Sequence, residues 1–575
     1  MITALFGSND KPTDWSGTFS TPTKTFVATR LEEVLPLIES AEREAREGNF
    51  VVLLLNYEAA PAFDSALVTH SNGPLPFAWA VVFPEVAPNG DLPPAPFSAS
   101  EWKPQITKAE YDDSIHKIRE LIARGYTYQV NYSFPLTTTF SGGALSYYEH
   151  LYRSQGAAYS AYLDLGRYKV LSLSPELFFK RQSDRVWTRP MKGTIKRGRW
   201  SEEDRELATR LANSEKDRAE NVMIVDLLRN DLGKVSVAGS VKVESLFQLE
   251  RFETVWQMTS TVESQLKPGT SLVDLLCALF PCGSITGAPK IRTMEIIRNL
   301  EPFPRGPYTG TIGLLRSNGD CVFNVAIRTV VIDSETELAT FGVGGGITIG
   351  STAEGEYEEC LVKAKFLEVE PQQFDLFESL LLEDGEYFLL DRHVERLKRS
   401  AEFFGFCFSD ADVSETLATL RSAHSSGKWK VKIVLTKTGT LSTEISELGS
   451  RGETTLRIAL AQSPVDSSDR LRFHKTTARD FYTFELAARP DCDDVIFYNE
   501  RGEVTESTIA NVVVKVNGQL VTPPRTAGLL AGTFRDRLIA DGVLTERTIT
   551  IAELQSADEV FLINSVRKLM RARRI

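Results

Sequence analysis

The spacing of hydrophobic and polar positions changes along the chain, and each change predicts a change of element. Apolar runs with short-period alternation, "YKVLSLSPELFFK" (168–180) and "CVFNVAIRTVVI" (321–332), predict strands. The long stretch "SEEDRELATRLANSEKDRAENVMIVDLLRNDL" (201–232) repeats its apolar residues at helical spacing. Turn residues such as Ser317-Asn318-Gly319-Asp320 separate strands, so residues 50 to 320 read as a large antiparallel α+β domain. A last helical pattern, "EYEECLVKAKFLEV", ends near Glu370, and "EPQQFDLFESLLLEDGEYFLL" restarts with strand, Asp-Gly turn and strand. This places a boundary at about 368 to 374, dividing the chain into 1–370 and 371–575.

Composition agrees with two domains, since 575 residues exceed what one core organises. A hydrophobic content of 42% with 25% charged residues is that of a soluble globular protein. The net charge of −12 argues against nucleic acid or an anionic membrane as partner. An anionic substrate would therefore need local arginines, backbone amides or a metal cation. The six cysteines (277, 282, 321, 360, 407, 492) form no C-x-x-C and no zinc spacing with histidine, which predicts a reducing compartment. The start "MITALFGSNDKPTDW" lacks a basic, then apolar, leader pattern, and "FVVLLL" (50–55) is far short of the roughly 20 residues of a membrane span. A cytoplasmic protein is expected.

Candidate chemistry begins with Lys192 in "RPMKGTIKRG" (189–198). A hairpin centred on Asp184 would pair positions summing to about 368, setting Glu176 opposite Lys192. Pro175 and Pro190 can shift that register, and a structural ion pair is the alternative reading. In "SEKDRAENVMIVDLLRNDLG", Met223, Ile224, Leu227 and Leu228 mark the apolar side, and Glu220 points along it. A carboxylate there is costly unless it meets a cation or is protonated. A second helix, opened by the capping-box pattern Ser351-x-x-Glu354, carries Glu356, Glu359 and Lys363 on one face. Solvated surface charges are the alternative for that helix alone. Two helices offering inward carboxylates suit a hard divalent cation, with Mg²⁺ favoured by oxygen ligands. In "FGVGGGITIG", Gly344, Gly345 and Gly346 allow a nest of backbone N–H groups, and Arg328 sits in the run "FNVAIRTVV". Together these describe a pocket for a dicarboxylate.

"PCGSITGAPKIRTMEIIRN" (281–299), "AENVMIVDLLRNDLG", "GGGIT…EYEECLVKAK" and "RPMKGT" resemble the chorismate-utilising enzyme family, in order, from about residue 50 to 370. The stretch before residue 100 is short for that family, which leaves its N-terminal effector pocket in question, and Asp217 stands where relatives often have glutamate. Gln129 in "YTYQVNYS" replaces the lysine that water-adding members use as base, so the resemblance implies ammonia addition. Lys192 in "PMKGT", where anthranilate synthases resemble "PIAGT", implies the aminodeoxychorismate branch. There the lysine is a covalent nucleophile at C2 of chorismate, and Glu176 in "SPELFF" is the general acid for the departing C4 hydroxyl. Glu220 and Glu359 match the Mg²⁺ ligands, with Glu356 close by. Thr286, Arg328, Gly344 to Gly346 and Lys363 match substrate contacts.

The last 200 or so residues contain "HVERL", "FHKTTARDFY", "GEVTESTIANVVV" and "TAGLLAGTFRDRL". "AGTFRDRL" reads as a helix start whose free N–H groups at Gly532 and Thr533 can hold a phosphate. In this order the motifs resemble fold-type IV pyridoxal 5′-phosphate (PLP) enzymes, the class of branched-chain aminotransferases and aminodeoxychorismate lyase. Arg396 matches the phosphate-binding arginine, Lys475 the Schiff-base lysine, and Glu506 the carboxylate facing the pyridine nitrogen. The combined resemblance implies an α+β protein: an antiparallel two-sheet α/β-sandwich, then a smaller α+β PLP domain. It implies two successive steps from chorismate and ammonia to 4-aminobenzoate, as in folate-precursor synthesis. No G-x-C-x-G nucleophile motif occurs, so ammonia is expected from a separate glutamine amidotransferase subunit or free in solution. An anthranilate synthase fused to a transaminase, and a C-terminal domain that only binds or scaffolds, are the rival readings.

Overall fold

The computed structural model describes residues 3–7, 13–71, 73–87, 95–370, 372–449 and 455–575. Pro371, inside the expected boundary, lies outside them. The chain separates into two compact units. One comprises Met1–Lys196 and Ala208–Pro371, the other Arg197–Leu207 and Gln372–Ile575.

The first unit is built on two ten-stranded sheets whose pairings are antiparallel. Strand Phe50–Leu55 shows why its apolar run is unbroken: both faces are covered. Val51, Leu53 and Leu55 enter one core cluster while Val52 and Leu54 enter another, following the two-residue period of a strand. The cluster holding Val52 and Leu54 also takes Ala161, Leu163 and Val170 from the other sheet, so it is the layer between the sheets. The stretch 201–232 is two helices, Ser201–Ala212 and Glu215–Val235, because Ser214 caps the second by accepting from the Asp217 N–H at 3.3 Å.

Four expectations need correction. The hairpin Leu177–Gln182 with Arg185–Arg189 turns at Ser183-Asp184, with Gln182 opposite Arg185, and shifts register before Leu177. Lys192 lies beyond Pro190 on a further strand, Met191–Lys196, which pairs with Val255–Gln265, so it does not face Glu176 across the ladder. Pro190 has no N–H to continue the first pairing. Arg328 is not inside a strand: the chain leaves Cys321–Asn324 in one sheet and enters Thr329–Asp333 in the other, with Arg328 at φ 50° in the crossing. Gly344, Gly345 and Gly346 form no nest: they lie in an extended strand paired with Ser133, Tyr132 and Asn131, where successive N–H groups point to opposite edges and cannot converge. The helix Ala353–Ala364 is capped by Thr352 accepting from Gly355, while Ser351 turns its hydroxyl to Glu356 at 2.6 Å.

The second unit combines a four-stranded antiparallel sheet with a mixed eight-stranded one. The expected Asp-Gly hairpin is present between Leu376–Glu383 and Glu386–Tyr387. Asp384 at φ 49° and Gly385 at φ 81° supply the left-handed pair that a two-residue turn requires. Among the described residues no helix is long and apolar enough to cross a membrane, and Cys277, Cys282, Cys321, Cys360, Cys407 and Cys492 are free thiols.

Candidate active sites

In the first unit, Glu176 stands where the chain passes from Tyr168–Ser174 in one sheet to Leu177–Gln182 in the other. Its backbone is clamped there: its N–H donates to Ser174 Oγ at 3.2 Å and its carbonyl accepts from the Val325 N–H at 3.0 Å. Its carboxyl accepts from Ser284 Oγ at 2.7 Å and is buried. Burial pushes its pKa up to about 7, against the downward pull of Ser284 and Lys192. Lys192 projects from the strand beside Gly193, whose φ of 92° is a glycine conformation. Its carbonyl accepts from Asn221 Nδ2 at 3.5 Å, and Asn221 in turn accepts from Ser260 Oγ at 2.5 Å. Burial lowers the amine's pKa, aided by Lys363 and opposed by Glu176 and Glu220. Glu176 and Lys192 are thus electrostatic neighbours without being cross-strand partners.

The glycine strand leaves room for this group. A Cβ at Gly346 would lie 2.0 Å from Gln129 Nε2 and 3.4 Å from Lys192 Nζ, so both side chains border that point. Gln129 Oε1 is buried without a protein partner. A Cβ at Gly345 would lie 3.0 Å from Glu356 Oε2, and Lys363 Nζ donates to the Gly344 carbonyl at 3.0 Å.

Burial raises the pKa of Glu220, and Glu356 and Asp217 add to the rise against Lys192 and Lys216. Glu356 is raised in the same way, with Glu359 adding and Ser351 opposing. Burial would raise Glu359 too, but Lys363 at 2.7 Å, with Lys192, outweighs it and holds the carboxyl low. Glu220, Glu356 and Glu359 thus share one electrostatic field with Lys192, Lys216 and Lys363. Among the described residues no group of three or more His, Cys, Asp or Glu side chains is placed to hold a metal ion.

Two predicted contacts have other partners. Arg328 donates to Gln155 Oε1 at 2.5 Å, and burial lowers its pKa to about 10. The Thr286 hydroxyl donates to the Cys282 and Gly283 carbonyls at 3.2 and 3.3 Å. Sequence reasoning missed Ser284 and Asn221, although both lie in motifs it quoted; a polar residue within such a motif was the available signal.

In the second unit, His393 and Arg396 share a face of the helix Leu390–Phe404. Arg396 grips Glu378 through two hydrogen bonds of 2.8 and 2.7 Å and donates to the Ala531 carbonyl at 3.1 Å. His393 Nδ1 lies 2.6 Å from Glu378, and its Nε2 lies 3.1 Å from Thr533 Oγ1. Nδ1 therefore carries the proton toward the carboxylate, and Nε2 accepts from Thr533. Burial would raise Glu378, but Arg396 and His393 outweigh it and hold the carboxyl well below its usual range. Glu378 was not predicted; a lone carboxylate within the apolar run "LFESLLL" was its signal.

Lys475 follows the short helical turn Arg470–Phe473, and its amine lies 4.6 Å from the Phe377 ring centroid. Burial lowers its pKa to about 7, with Arg396 and Arg479 adding and Glu378 and Glu506 opposing. Those couplings place the amine in one field with Arg396 and Glu506. Glu506 accepts from the Tyr482 hydroxyl at 2.7 Å and the Leu530 N–H at 3.2 Å. The helix Thr533–Ala540 starts without a side-chain cap, although the Gly532 N–H is engaged by Asn511 Oδ1 at 3.0 Å. An amine able to lose its proton near neutrality, a partly buried guanidinium, a buried carboxyl and an uncapped helix start fit a pyridoxal phosphate donor set.

Residues 9–368 match the chorismate binding enzyme family, and residues 375–575 match amino-transferase class IV. Aminodeoxychorismate synthase component 1 of Salmonella typhimurium is 43% identical over 264 residues, 46% of this chain and 58% of that protein. Anthranilate synthase component 1 of Aquifex aeolicus is 40% identical over 266 residues, 46% of this chain and 53% of that protein. The matches thus span less than two thirds of these relatives. The crystal structure of anthranilate synthase component I from Streptococcus pneumoniae superposes with a TM-score of 0.52 at 25% identity, covering 61% of this chain and 91% of that one. The chain belongs to the chorismate binding enzyme family, and a class IV amino-transferase domain follows its chorismate-binding region.

Proposed function

We propose that the first unit converts chorismate and ammonia to 4-amino-4-deoxychorismate, and that the second eliminates pyruvate from it to leave 4-aminobenzoate. The carrying observation is Lys192, an amine kept below its ordinary pKa by burial beside Glu176, whose carboxyl titrates near 7. A neutral amine can attack C2 of chorismate while protonated Glu176 gives its proton to the departing C4 hydroxyl. Ammonia then attacks C4 and expels the lysine, which regenerates the free amine. Gln129 beside Lys192 has no basic nitrogen, which supports amination over hydration.

Glu220 and Glu359, with Glu356 beside them, would hold Mg²⁺, which when bound neutralises the ring carboxylate of the substrate. Arg396, Lys475, Glu506 and the Gly532–Thr533 helix start would hold pyridoxal 5′-phosphate, which when bound supplies an electron sink. Lys475, with a pKa of about 7, can both take and return a proton at neutral pH. Ammonia comes from a separate glutamine amidotransferase subunit, a reading supported by relatives named as component 1. We assign the synthase step to residues 1–370, apart from Arg197–Leu207 of the second unit, and the lyase step to 371–575, in the cytoplasm.

The test is product analysis with chorismate, Mg²⁺, ammonium and pyridoxal phosphate. Equal amounts of 4-aminobenzoate and pyruvate are expected. 2-Aminobenzoate as the aromatic product would make the first unit an anthranilate synthase. Accumulated aminodeoxychorismate without pyruvate would reduce the second unit to a binding or scaffolding role.

A further inference from the structure

The second unit contains a stretch that its place in the sequence assigns to the first. Arg197–Leu207 follows the Lys192 strand directly in the chain, yet it belongs to the second compact unit. The stretch is firmly built. Arg197 Nε lies 2.7 and 2.9 Å from the two carboxylate oxygens of Asp204, and both side chains are buried. A Cβ at Gly198 would lie 2.2 Å from the Asp204 backbone nitrogen, so only glycine fits against that helix start. Trp200 packs on Phe473 at 5.0 Å, and Glu202 pairs with Arg399 at 2.8 Å and Arg525 at 3.2 Å.

These contacts hold the Arg199 carbonyl 3.2 Å from His474 Nε2. A carbonyl only accepts, so Nε2 carries the proton and Nδ1 accepts from Ser400 Oγ at 2.9 Å. The imidazole is buried against Phe403 and Phe404, at 4.5 and 4.7 Å between centroids. His474 has extended backbone angles, φ −128° and ψ 149°, so its side chain and that of Lys475 leave the chain on opposite sides. Anchoring the imidazole therefore fixes the backbone from which the lysine projects. The Lys475 carbonyl, accepting from the Phe377 N–H at 2.9 Å, is the second anchor.

We propose that Arg197–Leu207 is a positioning element of the second site, setting the direction of the Lys475 side chain through the hydrogen bond between the Arg199 carbonyl and His474. His474 is on this account a positioning residue. The proposal rests on reading Lys475 as the amine that bonds the cofactor. Its amine is held where Arg396, Arg479, Glu378 and Glu506 all act on it, and where burial lowers its pKa to about 7. Releasing the anchor lets the amine move toward water, so its pKa rises toward the ordinary lysine value.

The test uses three full-length variants. His474→Phe keeps a ring between Phe403 and Phe404 but removes both hydrogen bonds. Trp200→Ala loosens the segment from its far side, and Ser400→Ala is the milder change should His474→Phe fail to fold. The pKa of Lys475 is read without cofactor, from the pH dependence of its acetylation followed by mass spectrometry. Pyruvate release is measured with pyridoxal phosphate bound. The expected result is an apparent Lys475 pKa raised by about one unit, with kcat for pyruvate release down about tenfold and KM within about twofold. Folded variants with wild-type acetylation profiles overturn the proposal, as does a loss of thermal stability with Lys475 titrating unchanged. A wild-type protein that fails to develop near-visible absorption with pyridoxal phosphate overturns the cofactor reading instead, while the acetylation profiles still decide the positioning role.

Discussion

Burial moves Lys192 and Glu176 toward each other on the pH scale, lowering the amine from its ordinary value and pushing the carboxyl up to about 7. Their activities then depend on pH in opposite senses. In the proposed roles, the nucleophile becomes competent as Lys192 loses its proton and the acid fails as Glu176 loses its own through about pH 7, so chorismate consumption should be bell-shaped. Glu176→Gln cannot donate that proton: the alkaline limb should vanish and kcat should fall roughly 10²- to 10⁴-fold. An alkaline limb that survives in Glu176→Gln assigns the acid to another group. Gly346→Ala makes a different demand. Its methyl would sit 2.0 Å from Gln129 Nε2, the end of a side chain that can turn away, so the fold should persist while the site is altered. Thermal stability within a few degrees of wild type with at least a roughly tenfold loss of chorismate consumption is expected. Equal activity would show that Gln129 has no role beside Lys192. That Lys192, Glu176 and Gln129 draw attention in the sequence owes to motifs. The partners that hold them, Ser284 and Asn221, could not be assigned there, because a hydroxyl or amide declares its role only through the atom it faces.

At the scale of elements, periodicity read along the chain finds strands and helices but not where the chain changes sheet. "CVFNVAIRTVVI" looks like one strand, yet Cys321–Asn324 and Thr329–Asp333 lie in different sheets, and the crossing at Arg328 adopts φ 50° without a glycine to announce it. The glycine run misled for a related reason. Glycines permit a nest, but a ten-residue strand pairing Gly344 to Gly346 with Ser133 to Asn131 uses them for closeness instead. The Asp384-Gly385 hairpin was legible because its turn chemistry is local. Glu378, on the strand that precedes this turn, supports an elemental prediction. Its carboxylate ties that strand to the helix bearing His393 and Arg396, and its folded pKa is depressed below the unfolded value. A depressed carboxyl contributes stability that is present above its unfolded pKa and is lost as pH falls through the folded one. His393, lowered by burial, acts in the same sense, because its charging on acidification is disfavoured in the fold. Glu378→Gln should therefore cost about 3–5 kcal/mol at neutral pH, by leaving the guanidinium without its counter-charge, and the deficit should shrink in acid. Denaturant unfolding at pH 7 and at pH 3 reads both; a deficit independent of pH would locate the loss in packing.

For the whole molecule the two proposed chemistries should be separable by single substitutions but not by cutting the chain. Lys475→Ala in the full-length protein removes one amine from the second unit and leaves Glu176, Lys192, Glu220 and Glu359 untouched. Pyruvate release from aminodeoxychorismate should stop while chorismate is still consumed, and an added lyase should restore 4-aminobenzoate. Excision is a different operation. A fragment 372–575 would lack Arg197–Leu207, and with it the Trp200 face on Phe473, the ion pairs of Glu202 with Arg399 and Arg525 and the Arg199 carbonyl at His474. Truncating one buried Trp costs about 3–5 kcal/mol, and Trp200 is half-buried, so roughly half of that is expected from it alone. Exposed Phe473 and the unanchored imidazole add to the deficit, against a total stability of about 5–15 kcal/mol for a domain. The fragment should unfold at lower denaturant than the same unit in the full chain and release pyruvate slowly even when folded. Adding a synthetic peptide of residues 197–207 should recover part of both. A fragment with full stability and full pyruvate release, indifferent to the peptide, would mean that the segment is carried by the second unit without serving it.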